Sequence, residues 1–391
     1  MAAGRVDPQA LTVAAGGDAG GYNAGINGLR GLCVAAVFAF HLASSGLPPG
    51  PDAGSAWHLA AAYAAGCLAH GVEVFFMISG YVIVQSLQRH ASVRGFLVDR
   101  GLRILPLWVP MVLLIGMAGP WLGWRAVQQL DPAGWLAVVA ANVLLLPPLL
   151  PLPMLHPASW SLTVEWLFYG VAAALMALWR RPGAPAALRL GVAWFVVAAA
   201  VTLLPVALCF GIGVFVALWP PLAAWTRERP WLAAPALLAF LLLWHGLDGA
   251  GLDSGAMLPT LLARGQAPAL LLALAAGSVG LGCLCAPGSA ALPALRAPWL
   301  QRLGTISYSF YLWHLLVMFG VKRGVLRLWP DGAGHWGPAL LFGALSLALS
   351  WWVSALSWRW VEQAFGRRLR AAFSSAAPGS PPRPAAQPLR P

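Results

Sequence analysis

Long apolar runs separated by short arginine clusters make up most of this chain. A helix needs about 20 mostly apolar residues to cross a bilayer, and the pattern predicts about ten such spans. The first three run from Asn27 to Ser44, Ala65 to Leu87 and Ile104 to Leu122. The others cover 162–179, 190–206, 207–224, 231–247, 266–286, 306–321 and 337–358. Residues 133–150 are also apolar, but the segment is short and ends at Pro147-Pro148. Counted as a full span, it breaks the alternation of the arginine clusters. It is predicted to be a re-entrant or interfacial segment lining a cavity, where irregular backbone is tolerated at membrane depth. The proline-bearing loop after it, Leu149–His156, is predicted to form an outer-face lid. The fold class is therefore all-α, a polytopic integral membrane protein. Residues 1–22 are expected to be a flexible N-terminal segment, without the apolar core of a signal peptide. Residues 23–371 are expected to form the transmembrane domain, and 372–391 a disordered Pro/Ala-rich tail.

Composition supports the membrane class: 60% of residues are hydrophobic and only 9% charged, against about 25% charged in soluble domains. The formal charge of +12 does not indicate nucleic acid, because the arginines lie between apolar spans. Short cytoplasmic loops collect Arg and Lys. The clusters around Arg89–Arg103, Arg180–Arg189, Arg227–Arg229, Arg296–Arg302 and Arg359–Arg370 alternate consistently if both termini are cytoplasmic. Lys322, Arg323 and Arg327 are the exception and fall outside. The 21 tryptophans suit interfacial anchoring in a lipid bilayer. The five cysteines show no metal spacing, so no metal is expected. The pattern sets no oligomeric state.

Ionisable residues inside spans are costly, so each is a candidate for function. Arg30 and His41 lie 11 positions apart, close to three helical turns and about 16 Å along one face; the plain alternative is a snorkelling arginine and a packed histidine. Glu73 lies in the second span at a depth comparable to His41. It could orient the imidazole as acids do in catalytic triads, or pair structurally with an arginine. Ser79-Gly80 reads as a close-packing site rather than a nucleophile. Arg100 and Arg103 share a helical face at the cytoplasmic boundary. They suit a phosphate-bearing donor, or simply anchor the span. Trp160, Ser161 and Glu165 open a span at the outer face. Glu165 could hold an acceptor, or serve only as an acid in a first helical turn. His314, near Tyr311 in an aromatic span, could be a second base or a packed, hydrogen-bonded residue.

Taken in order, these segments resemble the membrane-bound acyltransferase 3 family. The resemblance rests on the Arg30…His41 pair, on Val72-Glu-Val-Phe-Phe-Met-Ile-Ser-Gly-Tyr81, and on Arg100…Arg103-Ile-Leu-Pro106. It also rests on Trp160-Ser-Leu-Thr-Val-Glu165, Ser307-Tyr-Ser-Phe-Tyr-Leu-Trp-His314 and Arg359-Trp-Val-Glu362. It covers about Gly25 to Arg370. Where the family often has a second acid after the glutamate, this chain has Trp166. The resemblance implies an O-acyltransferase of a bacterial inner membrane, taking an acyl group, usually acetyl, from cytoplasmic acetyl-CoA or another acyl-CoA. The acceptor would be a carbohydrate or glycolipid hydroxyl. His41 would then be the general base, or in a variant mechanism carry the acyl group itself, with Arg30 and Glu73 in the catalytic group. Arg30, Arg100 and Arg103 would bind the donor, and Trp160, Ser161, Glu165, Tyr311 and His314 the acceptor. The rival readings are a small-molecule transporter using the same intramembrane charges and a non-catalytic relative. The inverted repeats that would favour transport are not evident.

Overall fold

The computed structural model describes residues 23–375, apart from 51–55, 125–129, 148, 151, 250–261, 287–288 and 290. The expected flexible segment 1–22 and most of the expected tail lie outside the described residues; the helical backbone itself reaches Ser375. Among the described residues all regular structure is helical. Helix α1 (Ala24–Ala43) is opened by Asn23, whose side chain accepts the Ile26 N–H at 3.1 Å; such a cap satisfies a donor that the first helical turn leaves free. Helices α2 (Ala56–Ala69) and α3 (Gly71–Arg89) follow with only His70 between them. Ser92 caps α4 (Val93–Leu122) by accepting the Gly95 N–H at 3.0 Å, and Gly123 at φ +74° ends it, a left-handed conformation that glycine adopts without strain. The short α5 (Pro132–Val143) starts on an Asp131 cap and a proline in its first turn. Then come α6 (Ser159–Arg180), α7 (Ala186–Leu203), α8 (Ala207–Leu218), α9 (Pro220–Arg227), α10 (Ala233–Leu247) and α11 (Ala267–Cys285). The chain closes with α12 (Pro298–Thr305), α13 (Ser307–Leu328), α14 (Trp336–Ser357), a π-helical stretch Trp358–Phe365 and α15 (Gly366–Ser375).

Among the described residues, seven helices are long and apolar enough to cross a membrane, or up to nine if each of two bent pairs is one span. This is a multi-pass membrane protein. Three of the ten expected spans, those at 190–206, 207–224 and 306–321, are short or belong to a bent pair. The span expected at 190–206 falls on α7, whose apolar stretch Ala186–Ala200 is too short to count. The span expected at 207–224 is broken by an 81° bend between α8 and α9, where Pro220-Pro221 cannot continue the preceding helix's hydrogen bonding. A second bend of 82° separates α12 from α13. The third span begins earlier than expected, at Val93, and carries Pro106, Pro110 and Pro120 within it. Within the expected segment 133–150, the short α5 ends at Val143 and is followed by an irregular turn in which Leu145 has a φ of +56°.

Close helix packing sets the frame. A Cβ on Gly80 of α3 would collide with the Phe210 carbonyl of α8, and one on Gly213 of α8 with the Met77 carbonyl of α3. Small residues of this kind let membrane helices approach backbone to backbone. Three apolar clusters result: Phe76, Met77 and Phe210 with α10 and α11; Trp108 and Tyr169 with α4–α6; Phe38, Phe310 and Phe342 between α1, α13 and α14. Tyr311 packs against all three, so the junction of the clusters lies at α13. Ends of helices are tied in two separate places. Arg180 of α6 donates to the His90 carbonyl at 2.7 Å, beside the α3–α4 turn. Lys322 of α13 donates to the Ser45 carbonyl at 2.6 Å, just past α1.

Candidate active site

At that junction a cavity of about 60 Å³ is lined by Arg30, Ser79, Arg103, Ser161, Glu165, Ser307, Tyr308 and Tyr311, among others. Five helices supply these side chains: α1, α3, α4, α6 and α13. Arg30 holds the Ser307 hydroxyl in a fork, from Nε at 3.3 Å and from Nη2 at 3.0 Å. Glu165 accepts from Ser79 Oγ at 3.0 Å and from the Tyr169 hydroxyl. Ser161 donates to the Ala158 carbonyl at 3.0 Å, so the Tyr311 hydroxyl at 2.9 Å is the donor to Ser161. Tyr308 donates to the Ile104 carbonyl at 2.8 Å. Glu362, in the π-helical stretch, accepts from Ser309. The charges of Arg30, Arg103, Glu165 and Glu362 act on one another. These residues bring two basic and two acidic side chains together inside an apolar bundle, where a lone charge would cost several kcal/mol.

Two histidines stand further along the same pair of helices. Arg30 meets Ser307, and His41 meets His314 at 5.3 Å between ring centroids. Helices α1 and α13 therefore run in the same direction across the bundle, the relation already implied by the Lys322–Ser45 tie. His314 is fully buried, stacked on Phe310, and its Nδ1 donates to the Phe310 carbonyl at 3.1 Å. That bond fixes the tautomer and leaves the lone pair on Nε2. His314 Nε2 is buried with no hydrogen-bond partner. His41 is half-buried, its ring tilted against Phe40 and His314. Tyr311, one turn before His314, joins the cavity to the histidines, its ring centroid 6.0 Å from that of His314.

The remaining expected site residues are distributed differently. Arg100 and Arg103 sit one turn apart but face separate spaces. Arg103 lines the cavity with Arg30, whereas Arg100 lines a second cavity of about 300 Å³ with Val82, Ser86, Arg89, His90 and Asp99. There Arg100 binds Ser86 Oγ at 3.1 Å and Asp99 at 2.8 Å. Glu73 is buried and its carboxylate meets His70 Nδ1 at 3.3 Å; it makes no hydrogen bond or ion pair with His41. Trp160 packs edge-on against Phe76 at 6.0 Å and is not among the residues lining the cavity. The expected lid is anchored at its far end. Leu155 and His156 are fully buried, Asn142 Oδ1 accepts the Leu155 N–H at 2.9 Å, and His156 Nε2 donates to the Leu312 carbonyl at 2.9 Å. These bonds tie that end of the loop to α5 and α13.

Ser307 and Tyr308 complete the cavity without having been singled out beforehand, and Glu362 joins its charge set. Ser307 lies within the aromatic segment already noted, and its bond to Arg30 spans 277 positions. Chemically, the assembly offers a basic nitrogen, a pair of guanidinium groups and ordered hydroxyls, and can support proton removal beside an anion-binding pocket.

A family model described as an acyltransferase domain matches residues 23–355. The exopolysaccharide production protein ExoZ of Rhizobium meliloti (strain 1021) is 31% identical, over 71% of this chain and 83% of its own length. The acyltransferase MdmB of Streptomyces mycarofaciens is 29% identical, over 83% of this chain and 86% of its own. Nodulation protein 10 of Rhizobium leguminosarum bv. viciae is 27% identical, over 75% and 81%. No solved structure matches.

Proposed function

Because this chain belongs to the acyltransferase domain family, we propose that it moves an acyl group, most often acetyl, from a cytoplasmic acyl-CoA to a hydroxyl of a carbohydrate or lipid-linked sugar. The observation that carries this reading is the alignment of α1 with α13, which puts an Arg30–Ser307 contact and a His41–His314 pair on the same two helices. The similarity to an exopolysaccharide production protein supports a carbohydrate acceptor. The arginine-rich face around Arg89, Arg100 and Arg180 supports a cytoplasmic donor, with both termini on that side of a bacterial inner membrane. Arginine forks match phosphate oxygens. Arg100 and its neighbours in the larger cavity, followed by Arg30 and Arg103, give the donor's phosphates a basic path inward. Residues 133–150 would stay at the membrane surface or re-enter it.

In this reading His41 takes the proton of the acceptor hydroxyl. The oxygen attacks the thioester carbonyl, the ester forms, and the coenzyme leaves as its thiol after regaining a proton. Histidine has an ordinary pKa of about 6.5, suited to general-base work near neutrality. His314, with its Nε2 lone pair next to the His41 ring, is placed to accept or return that proton. The test supplies membranes containing the chain with radiolabelled acetyl-CoA and a crude glycan and glycolipid pool. Wild type should label an acceptor, and His41→Ala at matched expression should lose about 10²–10⁴-fold in rate. If neither protein uses any of several acyl-CoAs, the reading is wrong.

A further inference from the structure

Away from the cavity, the junction of α2 and α3 meets the end of α10. His70 is buried between α2 and α3, and His245 and Asp248 stand one turn apart in the last turn and C-cap of α10. Their ligand-type atoms all lie within 4.8 Å of one another. His70 Nε2 is 3.1 Å from His245 Nδ1 and 3.8 Å from Asp248 Oδ2. Zinc–nitrogen bonds of about 2.0–2.1 Å in a tetrahedron set neighbouring ligand atoms about 3.3 Å apart, a value that the two separations from His70 Nε2 bracket. On its other side, His70 Nδ1 meets Glu73 Oε1 at 3.3 Å. A carboxylate on the far nitrogen is the arrangement that orients a metal-bound imidazole and raises its basicity. The other carboxylate oxygen, Glu73 Oε2, is buried without a hydrogen-bond partner. The surroundings are shaped for the cluster. A Cβ on Gly66 would collide with the His245 ring. Tyr63 packs edge-on against that ring at 4.6 Å and donates to the Leu242 carbonyl at 2.8 Å.

We propose that His70, His245 and Asp248 bind a divalent transition-metal ion of the zinc class, with Glu73 as the carboxylate behind His70. Two imidazoles and one carboxylate suit zinc better than calcium or magnesium, which take oxygen ligands. Three protein ligands leave a fourth position, and the half-buried His245 and Asp248 give water access to it. The ion would clamp α10 to the α2–α3 junction.

The full-length protein, purified in detergent without a polyhistidine tag and stripped with a chelator, is dialysed against micromolar Zn²⁺. Bound metal is counted by mass spectrometry, and the thermal midpoint is measured with and without Zn²⁺. About one equivalent is expected in wild type, with a raised midpoint. His245→Ala and the shape-conserving Asp248→Asn should lose both the metal and the shift, while a change at the exposed His335 (His335→Ala) should keep them. Failure of folded wild type to take up Zn²⁺, or equal uptake by wild type and the site variants, overturns the proposal.

Discussion

A single arginine fork shows how little separates a bound charge from a stranded one. Arg30 reaches Ser307 Oγ through two nitrogens, which an ammonium cannot reproduce. Arg30→Lys should therefore keep the charge yet raise the donor KM about 10–100-fold, at a cost of about 1.4–2.8 kcal/mol, with a smaller change in kcat; a KM unchanged within error would remove Arg30 from donor binding. His314→Gln should show the opposite split, with kcat down about 100-fold or more and KM nearly unchanged. His156 gives a prediction about stability. Both its nitrogens are committed inside the protein, Nε2 to the Leu312 carbonyl and Nδ1 to the Ala158 N–H at 3.0 Å. Burial pushes its pKa down from 6.5 to about 4. The folded state thus binds this proton less readily than the unfolded chain. The stabilisation is complete above pH 6.5, declines as pH falls, and is lost once pH passes about 4. Thermal midpoints in detergent across that window should fall with acid, and His156→Gln, lower throughout, should show a shallower fall.

Among elements, legibility in the sequence followed local chemistry. The first span, the second span and the span opening at Ser159 could be read because a long apolar run is a local property of the chain. The break at Trp219 was legible in principle from Pro220-Pro221, but the apolar run continues through it and hides the bend. Glu73 could not be assigned, because its partner depended on how His70 sits between two helices. Nor could the separation of Arg100 from Arg103 into two cavities be read from their spacing, since a three-residue step puts both on one face while neighbouring helices decide what each one sees. Glu362 was visible only as the end of a motif; the π-helical turn that carries it has no strong sequence signature, and such turns recur at functional sites. The Gly80–Gly213 contact gives the clearest test at this scale. A leucine in place of Gly80 must displace the Phe210 carbonyl, so Gly80→Leu should separate α3 from α8. Fluorescence-detected size-exclusion chromatography should show loss of the monodisperse peak, whereas Gly191→Leu, at a glycine with open space around it, should leave it intact.

At the scale of the whole molecule, the long apolar helices were the most legible feature, because a bilayer imposes a length rule that needs no tertiary contact. Large exposed side chains such as Trp57, Trp121, Trp194, Phe195 and Trp336 make sense as a perimeter against lipid. The shared direction of α1 and α13 has a further consequence. The guanidinium contact and the histidine pair lie at different levels of the bundle, one nearer the arginine-rich end and the other nearer Lys322 and Ser45. On the proposed reading the chemistry acquires sidedness: the coenzyme would enter and depart through one compartment while the modified hydroxyl faces the other, so group transfer would be vectorial, driven by the exchange of a thioester for an ester without an ion gradient. Sealed vesicles of opposite orientation should differ accordingly, inside-out ones consuming external donor and right-side-out ones remaining silent until permeabilised, with uncouplers leaving both unchanged.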